Sequence, residues 1–334
     1  MPLDLLVPDL LPPPDAPPAI RAVRLAAIEK WLARADLERS PAVGAERWLA
    51  GRFGLAWPAP LAAIALAGES GPHRGEWLRA DPVHLRIEGD SVVVHDPAVL
   101  GLDRDEADAL AASLQRHFDE DGLRFRVADP HRWYVEVPDG ERPTTVALEE
   151  VRGRDAFGRL PAGGSAIHWR AAITEAQMVL SAHAVNARRE REGRPSANSV
   201  WFWGEGATPE RLDRPYSLVH ASDAFARGLA RLSGAELQAP PASLREVDLV
   251  SEPDHALVVL PDLAAPLARG DLEAWTKAAV RLDEDWFHEL GPAIERFERV
   301  RLVLPRSRDT LVASLDARAR RRWLRRRRPL ASHA

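Results

Sequence analysis

Polar and apolar positions follow two different periods along the chain. Short apolar runs and two-residue alternation predict strands at 3–7, 77–87, 91–95, 123–127, 133–137, 199–203, 217–221, 255–260 and 301–304. Three- and four-residue spacing predicts helices at 19–35, 42–52, 104–120, 169–182, 222–233 and 271–299. Because strands and helices interleave, the pattern predicts an α/β protein.

Individual residues refine some of these elements. Asp103 with Glu106 three positions later is a capping-box pattern, which predicts the start of the helix at 104–120. The helix at 169–182 continues weakly to Arg191.

Proline and glycine mark the breaks. The helix at 271–299 is predicted to break near Gly291-Pro292, and 57–75 is a Pro/Gly-rich passage for which no further element is predicted. The strand at 301–304 is expected to be the last, and a helical, basic end with arginines from 318 to 328 follows it.

Composition excludes several classes of protein. The 334 residues include 45 Lys and Arg against 50 Asp and Glu, and this net charge of −5 gives no overall footprint for nucleic acid. Hydrophobic residues at 46% and charged residues at 28% rule out wholesale disorder. Because Cys is absent, disulfides, thiolate nucleophiles and Cys-ligated metals are excluded. No apolar run approaches the roughly 18 residues of a membrane span and the N-terminus lacks a signal-peptide pattern, so we expect a cytoplasmic protein.

The most specific pattern lies between 76 and 240, above all in the stretch LSAHAVNARREREGRPSANSVWFWGEGATPERL. It resembles the inserted domain of the archaeal-type, cofactor-independent phosphoglycerate mutases of the alkaline-phosphatase superfamily. Looser similarity in the same order covers WLRADPVHLRIEGDSVVVHDP, DRDEADAL, GLRFRVADPHRWYVEV and FARGLARLSGAELQ. Ala184 stands where the family has Pro, and the matching residues are His183, Val185, Asn186, Pro195, Ala197, Asn198, Gly204 and Gly206.

The complete pattern, with its Trp-Phe-Trp-Gly strand end, resembles bacterial RpfE-type regulatory proteins more closely still. The resemblance implies an alkaline-phosphatase-like mixed or parallel sheet layer with an inserted α/β domain. The insert would span 76–240, and a degenerate phosphatase-like layer would combine 1–75 with 241–334. Since that layer needs both ends of the chain, its first and last strands should touch.

Phosphoryl transfer in that superfamily implies two metal ions held by Asp and His, together with a Ser or Thr nucleophile. Asp9 follows the first strand at the place of a metal ligand, but without the Gly that the family has next to it. Leu25 and Ala26 stand at the place of the nucleophile, and neither side chain can attack phosphorus. Pro305-Arg306 replaces an Asp-His pair of the family.

The family's second cluster, Asp-x-x-x-His, has only Asp262 and Asp271 in its place here, with no His nearby. Lys277 and Asp283 do fit the helix that follows it in the family. We therefore expect no catalytic residue, no cofactor and no metal, with Asp9 and Asp262 at most as candidate ligands.

A polar cluster survives in the predicted insert and is a candidate site for a small anionic or polar ligand. His183 and Asn186 share a face at a helix end, while Asn198 and Glu205 flank the buried strand that follows. Because a helix C-terminus repels anions, an arginine such as Arg189 would supply the attraction. The alternative is structural: His183 and Asn186 cap the helix end and turn, and the asparagines satisfy turn backbone.

Other groups also have two interpretations. Gly204-Glu205-Gly206 predicts either a phosphate cradle or a tight turn. Trp201 and Trp203 face one side of the sheet as core or groove anchors. His84 and His95, on neighbouring strands, are a metal pair or ordinary residues.

The run Arg320–Arg328 predicts either a solvated helical face or contact with nucleic acid or an anionic surface. Together, these features favour a catalytically degenerate phosphoglycerate-mutase-like protein that is not an enzyme and acts in regulation by binding a small ligand or a protein partner. One alternative is an active mutase or phosphatase with divergent metal ligands. Another is a nucleic-acid or membrane-associated module that acts through its arginines.

Overall fold

The computed structural model describes residues 2–12, 16–95, 97–138, 140, 142–247, 255–260, 263, 266, 271–306 and 308–333. The chain divides into two compact units, one formed by Met1–Trp57 with Arg211–Ala334 and the other by Pro58–Glu210. Among the described helices, none is both long and apolar enough to cross a membrane.

The strands are β1 Pro2–Leu6, β2 Asp36–Ser40, β3 Glu76–Glu88, β4 Ser91–His95, β5 Arg124–Asp129, β6 Arg132–Val137, β7 Ser199–Ala207, β8 Leu218–His220, β9 Glu236–Gln238, β10 Ala256–Val259, β11 Arg299–Pro305 and β12 Thr310–Leu315. The helices are α1 Pro18–Arg21, α2 Ala26–Arg34, α3 Gly44–Arg52, α4 Leu61–Ser70, α5 Pro97–Leu100, α6 Arg104–His117, α7 Leu148–Val151, α8 Ala166–Ser181, α9 Ala184–Arg191, α10 Ala224–Ser233, α11 Leu272–Leu282 and α12 Leu290–Arg296.

A mostly parallel sheet forms the first unit. Its described strands follow the order β2-β12-β11-β1-β10-β8-β9, in which β11 through β9 are parallel while β12 and β2 pair antiparallel at one edge. Leu5 in β1 lies opposite Val258 on one side and Leu302 on the other, and all three are buried. The N-terminal strand β1 therefore lies between two strands from the C-terminal part of the chain in one core. The α/β prediction with a mixed, mostly parallel sheet is confirmed.

The second unit contains an antiparallel sheet. β3 pairs with β4, β6 and β7, and β6 also pairs with β5. Leu78 and Ala80 project from one face of β3 into a core that includes Leu110 of α6 and Leu180 of α8. Because side chains alternate along a strand, the side chains of Arg79 and Asp81 project from the other face.

The boundaries between the two units, after Trp57 and after Glu210, differ from the predicted boundaries at 76 and 240. β8 and β9 pair within the first sheet, so residues 211–240 fall in the first unit. Pro60, just before α4, packs on the end of β7 so closely that a Cβ atom at Gly206 would lie 2.6 Å from its Cβ atom. The segment from Pro58 onward therefore falls in the second unit. The phosphatase-like and insert labels of the two parts stay predictions.

The sequence pattern did not predict α4, β12 or β2. The passage 57–75 contains α4, a ten-residue helix rich in Ala and Leu that begins after Pro60 and is buried over most of its length. Helix formers there outweigh the flanking Pro and Gly. The strand at 301–304 is not the last, because β12 follows it and pairs with both β11 and β2. β2 reads DLERS and is largely exposed, so it has no apolar alternation to reveal it.

Two predicted helices are interrupted at residues where the sequence pattern did not indicate a break. The helix at 19–35 separates into α1 and α2, with Leu25 extended at φ −113° and ψ 91°. The helix at 271–299 is interrupted by a π-helical turn at Asp283–Phe287, while Gly291-Pro292 lies in the first turn of α12, where Pro is tolerated.

The predicted helix at the basic end is wrong, because the structure has only short 3-10 turns at Ala317–Arg321 and Leu330–His333 among the described residues there. Residues 322–329 form turns and irregular backbone. Adjacent arginines repel one another at helical spacing, and Pro329 cannot continue a helix.

Candidate functional site

Two of the five residues predicted to bind a ligand lie at the start of α9. These five, here called the predicted ligand set, are His183, Asn186, Arg189, Asn198 and Glu205. His183 is the N-cap of this helix and not the end of one long helix, since its Nδ1 accepts a hydrogen bond from Val185 N at 3.2 Å. Burial, with a smaller contribution from Arg116, lowers the pKa of His183. The buried Asn186 donates from Nδ2 to the carbonyls of Leu180 (2.8 Å) and Ala197 (2.9 Å), and its Oδ1 accepts from Ala197 N at 2.9 Å.

Arg189 is wholly buried and already has an anion. Its Nη1 lies 2.6 Å from Oε2 of the buried Glu106, its Nε donates to the Pro195 carbonyl at 2.9 Å, and its Nη2 donates to the Leu100 carbonyl. Burial opposes ionisation of Glu106, but hydrogen bonds led by that from Arg188 outweigh it and hold the pKa of Glu106 below its usual value. The positive charge of Arg189, which was predicted to attract a ligand, is therefore paired with the Glu106 carboxylate.

Asn198 and Glu205 lie at opposite ends of β7. Asn198 continues the sheet, with Oδ1 accepting from Leu85 N at 2.7 Å and Nδ2 donating to Leu85 O at 2.9 Å. Glu205 accepts hydrogen bonds from the backbone N of Thr145, at 3.2 Å, and from its hydroxyl. The structure thus groups His183, Asn186, Arg189 and Asn198 around the segment before β7 and leaves Glu205 about 20 Å along the strand. Their role in ligand binding stays a prediction.

The Gly204-Glu205-Gly206 segment packs against protein. Gly204 N donates to the Thr145 hydroxyl at 3.2 Å, and a Cβ atom at Gly204 would lie 3.1 Å from Leu61 Cβ. Both glycines have positive φ, 70° and 144°. The segment nevertheless lies within β7, whose pairing with β3 continues to Ala207 and shifts register between Trp77 and Arg79. The tight turn predicted at these glycines is therefore wrong, and a phosphate cradle there stays a prediction.

The ends of the parallel strands carry the positions that the family resemblance assigned to chemistry. Asp9 follows β1, is exposed, and has a positive φ of 55°. Arg306 follows the neighbouring strand β11, where its Nε lies 2.6 Å from Oδ1 of Asp309 and its Nη1 donates to the His333 carbonyl at 2.6 Å. Asp262 lies outside the described residues.

A carboxylate binds the start of α2, where the sequence has Leu25 and Ala26 and the family resemblance implies a nucleophile. Oδ2 of Asp283 accepts from Ala27 N at 3.0 Å and Oδ1 accepts from Ile28 N at 2.8 Å, and Asp283 is buried. The free amides of a helix start attract anions. Asp283, which comes from the π-helical turn after α11, fills that place.

A buried network around Asp4 was not predicted. Asp4 accepts hydrogen bonds from Arg301 Nε (2.6 Å) and Tyr216 Oη (2.7 Å), and His255 Nε2 lies 3.2 Å from its Oδ1. Burial favours the neutral acid, but these partners outweigh it and hold the pKa of Asp4 below its usual value. The available signal was one Asp inside the apolar strand LDLLV.

A second unpredicted cluster lies on the face of β3 opposite Leu78 and Ala80. The Arg79 guanidinium carbon lies 5.3 Å from the ring centroid of Tyr134 and 5.0 Å from that of Trp203. Its Nη2 donates to both oxygens of Asp81, at 2.7 and 2.8 Å, and Trp203 Nε1 donates to the same carboxylate at 2.8 Å. Trp203 is therefore a core anchor with a satisfied indole, as is Trp201, whose Nε1 donates to a carbonyl at 2.9 Å.

His84 and His95 lie opposite each other in β3 and β4, with ring centroids 5.8 Å apart. His84 Nδ1 lies 2.8 Å from the Ser196 carbonyl. Across the described ranges, no group of three His, Asp or Glu side chains is arranged to hold a metal ion.

Comparison with known proteins gives the family context. No protein-family model matches the chain. Over 185 residues the chain is 25% identical to the probable 2,3-bisphosphoglycerate-independent phosphoglycerate mutase of Geobacter sulfurreducens, covering 53% of this chain and 46% of that protein. Over 141 residues it is 27% identical to the corresponding mutase of Methanosarcina mazei, covering 41% of this chain and 36% of that protein.

The chain is homologous, at low identity, to the cofactor-independent phosphoglycerate mutases. The matched region spans less than half the length of these relatives. The solved PH0037 protein from Pyrococcus horikoshii has a similar fold, with a TM-score of 0.58 and 14% identity over 94% of this chain and 87% of that one. The phosphoglycerate-mutase-like fold of the alkaline-phosphatase superfamily therefore agrees with the resemblance carried by the sequence.

Proposed function

We propose that this protein is a catalytically degenerate relative of the phosphoglycerate mutases, of the RpfE regulatory type, and that it acts by binding a small anionic ligand or a protein partner. The start of α2 carries the proposal, because it has Leu25 and Ala26 where the family has its nucleophile and its Ala27 and Ile28 amides donate to the Asp283 carboxylate. An anion that is part of the protein thereby holds the place at which a phosphoryl group would meet a helix start.

Two observations support the loss of phosphoryl transfer. Leu25 and Ala26, at the start of the same helix, have hydrocarbon side chains without a nucleophilic atom. Arg306, at the place of the family's Asp-His pair, is a cation engaged with Asp309. A positive side chain there would repel the divalent ion that the family's chemistry requires.

The catalytic half of the proposal is tested by assaying the purified chain with added Mn²⁺, Mg²⁺ or Zn²⁺. Interconversion of 2- and 3-phosphoglycerate and hydrolysis of p-nitrophenyl phosphate are measured for the wild type and for Asp9→Ala. We expect equal, background rates for both proteins. Metal-dependent turnover that Asp9→Ala abolishes would instead support an active mutase or phosphatase with divergent ligands.

The binding half is tested at the predicted ligand set. Thermal melting is recorded with 3-phosphoglycerate or inorganic phosphate, because a ligand that binds only the folded state raises the melting temperature. We expect an increase for the wild type that is lost in His183→Ala combined with Asn198→Ala. If the double variant shows the full increase, the site does not include these residues and the structural interpretation of both is correct.

A further inference from the structure

The loop at residues 320–329, here called the arginine loop, holds two apolar side chains in water. Trp323 is 69% exposed and Leu324 is 80% exposed. The residues on either side of the loop are fixed, because Ala319 and Leu330 are buried and Leu330 N donates to Glu29 Oε1 at 3.0 Å. Burying such a pair from water is favourable, so its exposure on an anchored loop suggests a surface that covers it.

The base of the arginine loop is tied to the connection between α2 and β2. Arg322 forms a bidentate pair with Asp36, with distances of 2.6 and 2.9 Å, and its Nη1 also donates to the Arg34 carbonyl at 3.0 Å. Arg325 Nη1 donates to the Ala35 carbonyl at 3.0 Å. These contacts fix the loop, so Trp323 and Leu324 lie between two anchored arginines.

Most arginines of the loop form no ion pair with a described carboxylate. Within the described residues, no ion pair involves Arg321, Arg326, Arg327 or Arg328, although Arg320 pairs with Glu295. The positive charge of the loop also affects Lys30. Burial, and then repulsion by Arg34, Arg327 and Arg320, lower the pKa of Lys30. The apolar pair thus shares one exposed loop with arginines that form no ion pair with a described residue, on a protein whose net charge is −5.

We propose that the arginine loop docks on an anionic lipid bilayer, with Trp323 and Leu324 entering the headgroup region and the unpaired arginines contacting lipid phosphates. Trp is favoured at membrane interfaces, and arginine clusters next to apolar side chains bind anionic lipid. Nucleic acid fits less well, because only Trp323 of the pair offers a ring on which a base can stack and Leu324 would stay in water. This inference does not depend on the proposed function.

The experiment is vesicle co-sedimentation of the full chain. We expect binding to phosphatidylcholine vesicles with about 30 mol% phosphatidylserine and binding at least about tenfold weaker to pure phosphatidylcholine. Trp323→Ala with Leu324→Ala should weaken binding about tenfold. Combined Arg326→Gln, Arg327→Gln and Arg328→Gln should weaken it about 100-fold.

Matched controls lie elsewhere on the surface. Ile167→Ala with Met178→Ala removes two other exposed apolar side chains, and the triple Gln variant of the exposed Arg154, Arg211 and Arg214 removes equal charge. Both controls should bind like the wild type. Brominated lipids should quench wild-type fluorescence by an amount that disappears in Trp323→Phe.

Three results would overturn the proposal. One is vesicle binding that Trp323→Ala with Leu324→Ala leaves unchanged, and a second is equal quenching of the wild type and Trp323→Phe. The third is salt-sensitive binding to single-stranded DNA without binding to anionic vesicles, which would assign the surface to nucleic acid.

Discussion

Glu106 and Arg189 form an ion pair of 2.6 Å in which both side chains are buried. Glu106 is also the third residue of the α6 capping box, because its Oε2 accepts from Asp103 N at 3.3 Å. One carboxylate therefore joins the start of α6 to α9 and to the segment before β7. Removing its buried partner would leave Glu106 with only the more exposed Arg188 and Arg194, and losing a buried partner costs more than losing an exposed pair.

Arg189→Leu should lower the free energy of unfolding by about 3 to 5 kcal/mol, because Glu106 loses its buried cation. Arg191→Leu is the matched control on the same helix, since Arg191 is exposed and donates only to the Ala187 carbonyl. It should change stability by less than about 0.5 kcal/mol. Chemical denaturation of the three proteins measures the difference, and equal midpoints for both variants would contradict the structural role of Arg189.

Gly204→Ala tests whether the glycine in β7 is required for packing. Gly204 and Gly193 have the same φ of 70°, but only Gly204 has a close neighbour, Leu61 Cβ, at 3.1 Å from the position of an added Cβ atom. Both substitutions incur the cost of a left-handed residue, about 1 kcal/mol. Gly204→Ala should lose about 1 to 3 kcal/mol more through overpacking. Equal losses in thermal or chemical denaturation would show that no packing constraint acts at Gly204.

The sequence pattern located elements whose signal is local. Asp103 and Glu106 marked the start of α6 correctly, and the capping box forms as predicted. β1, β10 and β11 were visible because buried parallel strands are continuous apolar runs. β2 was not, because an edge strand exposed on both faces carries no alternation and owes its pairing to β12.

Long-range contacts set the limits of the prediction for the site. The break before α2 depends on Asp283, which is 256 residues away from Ala27. The residue types in the ligand set were polar as expected, but their partners, such as Leu85 for Asn198 and Glu106 for Arg189, are 113 and 83 residues distant. Spacing within a helix or strand cannot reveal partners that only the tertiary fold brings together.

Acid should remove a stabilising contribution of Asp4. The pKa of Asp4 in the folded state lies below its unfolded value of about 3.9, so the folded state binds fewer protons as the pH falls through this region. The contribution is complete above the unfolded pKa and is lost as the pH falls through the folded pKa. The difference in unfolding free energy between wild type and Asp4→Asn should therefore shrink between about pH 5 and pH 2. A difference that stays constant over this range would contradict the network.

The contact between Asp283 and α2 gives a prediction that separates a remote helix cap from a local one. Asp283→Ala frees the amides of Ala27 and Ile28 at a buried helix start and should cost about 2 kcal/mol. Asp271→Ala is the control, because Asp271 is an exposed N-cap that accepts from Ala274 N at 2.9 Å. Its loss should cost about 1 kcal/mol.

The freed amides should also change the response to anions, because a helix start without its carboxylate becomes an anion site. Inorganic phosphate should raise the melting temperature of Asp283→Ala more than that of the wild type or of Asp271→Ala. Asp283→Asn keeps one oxygen acceptor toward the same amides and should lie between wild type and Asp283→Ala in both stability and phosphate response. If phosphate stabilises all four proteins equally, the Asp283 carboxylate does not occupy an anion site, and the main support for a degenerate phosphoryl-transfer centre is lost.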